Sequence, residues 1–370
     1  MPRIPVKAAV LREPGEQLAL ETVYLDEPGS GEVLVRTTAA GLCHSDLHYL
    51  KGTMGISLPA VLGHEVAGVV ERCGPGVNRI TPGDRVVVTI TPSCGQCPAC
   101  VSGTPTRCSR VSQMRERAEP LLVDEAGETI TSLGSIGAFA EAIVVPESAL
   151  AVVGADLPPS VAALLGCCVS TGVGAVIHGA HVGPNDTVAV IGCGGVGMAA
   201  IQGARLSGAR RIIAIDLHDE KLALATRLGA TDVVNSSDED VRNAVLNLIP
   251  GGVTHAFEAV GRPATAELAF SLLASGGVAT ILGLMPSGSQ ITIEASELIE
   301  GDRRMQGAYM GGNRFLADID TLTDHYRSGR LDLDAMVTGS VSLAGINDGF
   351  TAMASRSSIR NVVALGEGTW

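Results

Sequence analysis

Aromatic side chains are scarce, at 3% of the 370 residues with a single tryptophan. A ligand pocket built from this chain therefore has mainly aliphatic walls. Basic residues are also in short supply, 26 against 39 acidic ones, for a net charge of −13. That balance repels phosphate backbones, and no basic cluster carries interleaved aromatics, so nucleic acid is excluded as a partner. The opening stretch MPRIPVKAAVLREPGEQ lacks the apolar core of an export signal. Residues 157–185 contain no Asp, Glu, Lys or Arg, which raises the question of a membrane span. Pro158, Pro159, several glycines, Ser170, Thr171 and two histidines interrupt the run. We expect two buried helices around a turn there, no membrane partner and a cytoplasmic location.

Glycine, by contrast, is abundant, with 46 copies lying among Val, Ile and Ala runs. This pattern implies tight turns and close backbone approaches rather than disorder. The length favours two domains. Up to about residue 155 the texture is strand-like and broken by turns: VLVRTTAAG (33–41), VAGVVERCG (66–74) and DRVVVTI (84–90) read as β-strands. Beyond Leu157 strands and helices alternate. TVAVI (187–191), RIIAID (211–216), TDVVN (231–235), THAFEAV (254–260) and GVATILGL (277–284) read as strands. Helices are expected over 219–230, near 263–275 and near 315–328, with a last strand at 361–365 and a solvated helix start at SSDED (236–240). Such alternation implies a parallel sheet covered by helices on both faces.

GCGGVG (192–197) follows the first of these strands and opens a helix. Gly192, Gly194 and Gly197 fit the G-x-G-x-x-G turn that lets backbone approach a pyrophosphate, with Gly195 and Val196 in the same turn. Asp216 ends the next strand, where a carboxylate accepts from ribose hydroxyls and repels a 2′-phosphate. The expected cofactor is therefore NAD.

The nine cysteines read as ligands or free thiols. Cys94, Cys97, Cys100 and Cys108 lie on one short Gly- and Pro-rich segment. Four thiolates suit a closed tetrahedral zinc that holds structure and does no chemistry. A second site, with two thiolates, an imidazole and an open position, has candidates in three separate stretches. GLCHSDLH offers Cys43, LGHEVAG offers His64 and Glu65, and LLGCCVSTG offers Cys167 or Cys168.

The ordered set GLCHSD, GHEVAG, the four-Cys loop, GCxxSTG and GCGGVG resembles the zinc-dependent alcohol dehydrogenases of the medium-chain dehydrogenase/reductase family, over nearly the whole chain. The resemblance implies an α/β protein with a GroES-like β-rich catalytic domain (1–168 and 310–370) and a Rossmann doubly wound parallel sheet (169–309). It implies Cys43, His64 and Cys167 as ligands of a catalytic zinc, Ser170-Thr171-Gly172 setting the register in favour of Cys167. Asp46 looks like the carboxylate behind the zinc-bound His64, and Glu65 like a transient ligand. Ser45 is similar to the hydroxyl that takes the substrate proton, and His48 to the end of the relay. His44, Thr171, Lys221 and Arg360 resemble cofactor contacts.

The implied reaction is reversible oxidation of a primary or secondary alcohol to aldehyde or ketone, with hydride transfer to NAD and two zinc ions per subunit. Two alternatives stand beside it: a formaldehyde dehydrogenase acting on thiol adducts, and a zinc- and nucleotide-binding relative without turnover. Ile90 and Met54 occupy pocket positions that are aromatic in some members. Residues 110–138 resemble the longer loop of the dimeric branch, so a homodimer is expected, with a tetramer as the alternative. The remaining histidines, and Cys73, Cys168 and Cys193, read as packing or surface residues.

Overall fold

The run TVAVI is buried at every position, as a strand covered on both faces must be. In the computed structural model, which describes residues 3–238, 240–355 and 358–366, it forms the strand Thr187–Ile191 of a six-stranded parallel sheet. The spatial order is Asp232–Asn235, Arg211–Asp216, Thr187–Ile191, Val253–Glu258, Leu273–Ile281, Arg304–Gly307. Numbered along the chain this is 3-2-1-4-5-6, the doubly wound order whose reversal point lies at the first strand. Ala189, Ile191, Ile213, Ile215 and Phe270 are among its core. The sheet belongs to one of two compact units, residues 168–313 and 325–336.

Residues 1–167, 314–324 and 337–370 make up the other. Here Ile4–Leu11, Ala19–Leu25, Leu122–Val123, Thr129–Ser132 and Ala60–Val61 close a small barrel. A second sheet has Glu32–Gly41 at its centre. That strand pairs antiparallel with Glu65–Cys73 on one side and with Arg360–Ala364 and Ala142–Pro146 elsewhere along its edges. Val33, Leu34 and Val35 are fully buried in its core, and Phe139 meets Phe350 edge-on at 5.8 Å.

Three expectations need correcting. The apolar run is one helix, Pro159–Gly179, not two, and 89% of its most apolar window is buried. Pro158 and Pro159 sit at its start, where a missing N–H costs nothing. The interior irregularities are absorbed as π-turns at Leu165–Val169 and Ala175–Gly179. The helix expected near 263–275 stops at Ser271. The next strand starts already at Leu273, and a bulge takes up the residues around Gly276, whose φ is +76°. It also ends at Ile281, short of Leu284. In the acidic stretch Asp240 does cap a helix, Val241–Leu248, accepting from Asn243 N at 3.0 Å; Glu239 lies outside the described residues.

Candidate active site

The central strand Glu32–Gly41 runs into Cys43, the N-cap of the short helix His44–Leu50. Asp46, on the first turn of that helix and fully buried, organises the groups around it. Its Oδ2 accepts from Cys43 N at 3.1 Å. Its Oδ1 accepts from Gly63 N at 3.1 Å and faces His64 Nδ1 at 3.2 Å. One carboxylate thus ties the backbone at Cys43 to the imidazole of His64. With Nδ1 donating to Asp46, Nε2 is the atom left to bind a metal.

Cys167 reaches the same spot from the π-turn Leu165–Val169. Single atoms of Cys43, His64, Glu65 and Cys167 lie within 4.8 Å of one another, and all four residues are buried. Cys168, its neighbour, is fully buried outside this group. The room for Glu65 comes from Gly41, its direct cross-strand partner, where any side chain would collide with Glu65 Oε2.

Two sulfurs and one ring nitrogen fit zinc by chemistry and number, and their electrostatics suit a cation. Cys43 is held well below the usual thiol range, first by a hydrogen bond from Cys167 and then by the charges of Arg360 and His64. For His64 burial acts downward, but Asp46 and Cys43 outweigh it and the net shift is well upward. Burial lifts Glu65 to about 7 against the opposing pull of Arg360. Neither Glu65 oxygen accepts a hydrogen bond among the described residues, although Arg360 Nη2 lies 3.4 Å from Oε1. A carboxylate so placed has lone pairs to offer a metal.

Ser45 Oγ lies 3.4 Å from His64 Nε2. His48, one turn on, meets Thr53 Oγ1 through Nδ1 at 3.0 Å, and burial moves it below its ordinary value. The two expected relay residues share a helix, and these hydrogen bonds lead to His64 and Thr53 rather than from one to the other. Arg360, 4% exposed, donates from Nη1 to Leu42 O at 2.7 Å besides facing Glu65. The sequence contains no local signal for that pairing, because 295 positions separate Glu65 and Arg360 (360 − 65). His44 is exposed on the same helix.

The second cysteine cluster is equally close-knit. Atoms of Cys94, Cys97, Cys100 and Cys108 fall within 4.8 Å. Backbone N–H groups of Cys97 and Cys94 point at the sulfurs of Cys94 and Cys108, at 3.3 and 3.4 Å. N–H donors from Cys100 and Ser109 bring Cys97 down to about 5, while burial and the neighbouring thiol push Cys100 up to about 12. None of the nine cysteines forms a disulfide.

In the parallel-sheet unit the glycine turn leaves strand Thr187–Ile191 at Gly192 and enters helix Gly195–Leu206, with Gly194 as N-cap. Gly197 packs so tightly on Gly192 O that no Cβ fits. Asp216 braces this turn: its Oδ2 accepts from Cys193 N at 2.8 Å, and its Oδ1 from Leu217 N at 2.8 Å. Cys193 is fully buried, and burial pushes its thiol up, in keeping with packing. Lys221 follows on the helix Asp219–Leu228. Thr171 is buried, its hydroxyl 3.7 Å from Met310 Sδ.

A barrel-and-sheet unit with a buried sulfur–imidazole cluster, and a doubly wound unit with a glycine turn, define a zinc-binding, dinucleotide-dependent dehydrogenase. Residues 29–155 match the alcohol dehydrogenase GroES-like domain, and residues 195–324 the zinc-binding dehydrogenase family. An S-(hydroxymethyl)glutathione dehydrogenase from Escherichia coli O1:K1 / APEC is 36% identical over 368 residues, 96% of this chain and 99% of that protein. The crystal structure of an alcohol dehydrogenase zinc-binding domain protein from Burkholderia ambifaria superposes with a TM-score of 0.93 at 34% identity, covering 98% and 100% of the two chains. That of benzyl alcohol dehydrogenase from Acinetobacter calcoaceticus gives 0.90 at 29% identity, with the same coverage. The chain belongs to the zinc-dependent alcohol dehydrogenases of the medium-chain dehydrogenase/reductase family. It is an oxidoreductase of the zinc-binding dehydrogenase kind, with two residue clusters that could hold zinc.

Proposed function

We propose that this enzyme oxidises small primary or secondary alcohols reversibly to aldehydes or ketones, in a pocket with the aliphatic walls Ile90 and Met54. The observation that carries this reading is the buried convergence of Cys43, His64 and Cys167, with Asp46 behind the imidazole. Zinc held by these three residues would supply Lewis acidity that favours loss of the alcohol proton. NAD held at the glycine turn would supply the hydride acceptor for the alcohol carbon.

The chain's own groups do the rest. Ser45 Oγ, beside the ligand cluster, accepts the alcohol proton; its onward route to His48 and solvent runs without a direct hydrogen bond between the two side chains. Asp46 fixes the imidazole's orientation, so that the ligand nitrogen does not wander. Glu65 is available as a transient ligand when the exchangeable position turns over. Asp216 selects NAD over its 2′-phosphorylated form, and the turn from Gly192 to Gly197 receives the pyrophosphate at a helix N-terminus. His44, Thr171, Lys221 and Arg360 complete the cofactor contacts. Zinc held by Cys94, Cys97, Cys100 and Cys108 orders their loop.

The test is a panel of alcohols and aldehydes with NAD and NADP, followed by nicotinamide absorbance and paired with zinc analysis. Zinc-dependent turnover with NAD is expected. A protein that carries zinc yet turns over no member of the panel defeats the reading.

A second reading has one observation in its favour, the name of the Escherichia coli relative: the substrate is a thiol adduct of formaldehyde. In this chain two arginines of the segment 110–138 are engaged internally. Arg117 pairs with Asp26 at 2.6 Å and with Glu32, and Arg115 donates to Ile90 O at 2.5 Å. Formaldehyde oxidation measured with and without added glutathione separates the readings; strict dependence on the thiol selects the second. We further propose a cytoplasmic homodimer, to be checked by sedimentation.

A further inference from the structure

Glu258 is the last residue of the strand Val253–Glu258, and its side chain is wholly buried. It contributes nothing to the metal clusters. Its Oε1 accepts three hydrogen bonds, from Val260 N at 2.9 Å, Gly261 N at 2.7 Å and Thr265 Oγ1 at 2.7 Å. Its Oε2 accepts none among the described residues. A Cβ added at Gly283 would come within 2.7 Å of that second oxygen, so the carboxylate abuts the loop after the next strand. The backbone oxygen of Glu258 takes up the same loop, accepting from Leu282 N at 2.8 Å and Gly283 N at 3.1 Å. On the other side Ala259 N donates to Ile191 O at 2.9 Å, and a Cβ at Gly192 would lie 2.6 Å from Val260 Cγ2. The buried acid therefore fixes the loop that leaves its own strand and abuts the one that leaves the next, while the backbone beside it, at Ala259 and Val260, meets the glycine turn.

Dinucleotides bind at the carboxyl ends of such strands, one mononucleotide to each half of the sheet. Asp216 belongs to the half that takes the adenosine ribose. The nicotinamide half then falls to the strands Val253–Glu258, Leu273–Ile281 and Arg304–Gly307. The loops held by Glu258 flank that half, and Val260 forms a wall against the glycine turn.

We propose that Glu258 is a positioning residue for the nicotinamide half of the cofactor. It acts through the backbone: with three donors converging on one oxygen, residues 259–261 have a fixed course, and the surface offered to the nicotinamide ribose is set before the cofactor arrives. A buried charge-assisted acceptor of this kind is costly to lose, because its donors are left without partners. The proposal rests on the NAD site formed by the glycine turn and Asp216.

The experiment measures binding of NAD, NADH and AMP by calorimetry, using the zinc-loaded full chain. AMP reports the adenosine half alone. E258A should weaken NAD and NADH about tenfold while AMP stays within about twofold, since a few lost hydrogen bonds act on one half only. E258Q, which keeps an acceptor oxygen, should recover part of that loss. T265V removes one donor and leaves the acid in place, and should weaken NAD by about threefold with AMP unchanged. Unchanged NAD affinity in folded E258A, or parallel loss of NAD and AMP, overturns the proposal. Should E258A not fold, unchanged NAD affinity in T265V overturns it. Failure of the unaltered protein to bind NAD at all would instead remove the cofactor site itself.

Discussion

Among single residues, Asp46 and Ser45 separate structure from chemistry. Asp46 accepts from Cys43 N and Gly63 N and faces His64, so it cannot be removed without disturbing the ligand geometry. Ser45 has no such structural load, and its hydroxyl stands 3.4 Å from His64 Nε2. Ser45→Ala should therefore cut turnover by on the order of 100-fold, the lower range for a lost proton-transfer group. Zinc content and NAD affinity should stay as in the parent; unchanged kcat would take Ser45 out of the proton path. Asp216 makes a complementary case. Asp216→Ala removes the acceptor of Cys193 N and the ribose partner together. NAD should bind at least about tenfold more weakly, with NADP gaining relative to it. An unaltered ratio of the two affinities contradicts the ribose role.

Much of the site is visible in the residues because its groups lie in contiguous words. GLCHSD contains a proposed ligand and the acid that supports it within four positions, Cys43 to Asp46, and one helical turn folds them together. The four-Cys loop closes on itself for the same reason. What could not be read is what long-range pairing creates: Arg360 against Glu65 and Leu42, and Glu258 against the loop that leaves the next strand. Neither has a local pattern, since each depends on which strands become neighbours.

At the level of elements, TVAVI and RIIAID were legible to the residue, because a fully buried parallel strand is a continuous apolar run bounded by turn residues. The helix Pro159–Gly179 was not. Its prolines, glycines and hydroxyls read as interruptions, yet the prolines are N-terminal and the glycines admit close packing. Gly166 illustrates this: a side chain there would strike Val88 O on the adjacent strand. Gly166→Ala should destabilise the protein by about 1–3 kcal/mol, the usual cost of overpacking, and should lower zinc occupancy through its neighbour Cys167. Denaturant unfolding with metal analysis checks both; a variant as stable and as zinc-rich as the parent refutes the packing argument. The loop around the second cluster depends on metal more directly. Its regular structure amounts to the short helix Pro98–Val101 and one turn at Pro105–Arg107. Cys94→Ala should lower Tm and remove about one zinc per chain. Retention of both values would show that the loop holds itself.

For the whole molecule, stability should depend on pH through His255. Burial holds this ring below the ordinary histidine value of 6.5, with Asp186 pulling upward and Arg304 downward. Its Nε2 faces Asp186 at 3.4 Å, while Nδ1 has no hydrogen-bond partner among the described residues. The folded state thus binds this proton less readily than the unfolded chain. Its contribution is complete above pH 6.5 and is lost as pH falls from there through the lower folded value. Thermal unfolding followed between pH 7.5 and 5 should show a decline that His255→Gln makes shallower. Equal slopes in both proteins would exclude the ring as the cause.

Gly41, two residues before Cys43, lies between Glu65 on one neighbouring strand and Val362, two residues after Arg360, on the other. A slip of one residue in either pairing would turn every side chain of the moved strand to the opposite face. The reaction centre is thereby indexed to a rigid rail, whereas Met54, Ile90 and the segment 110–138 lie outside that pairing. On the proposed reading of Met54 and Ile90 as pocket walls, selection can retune which molecules are accepted there while the chemistry stays in register.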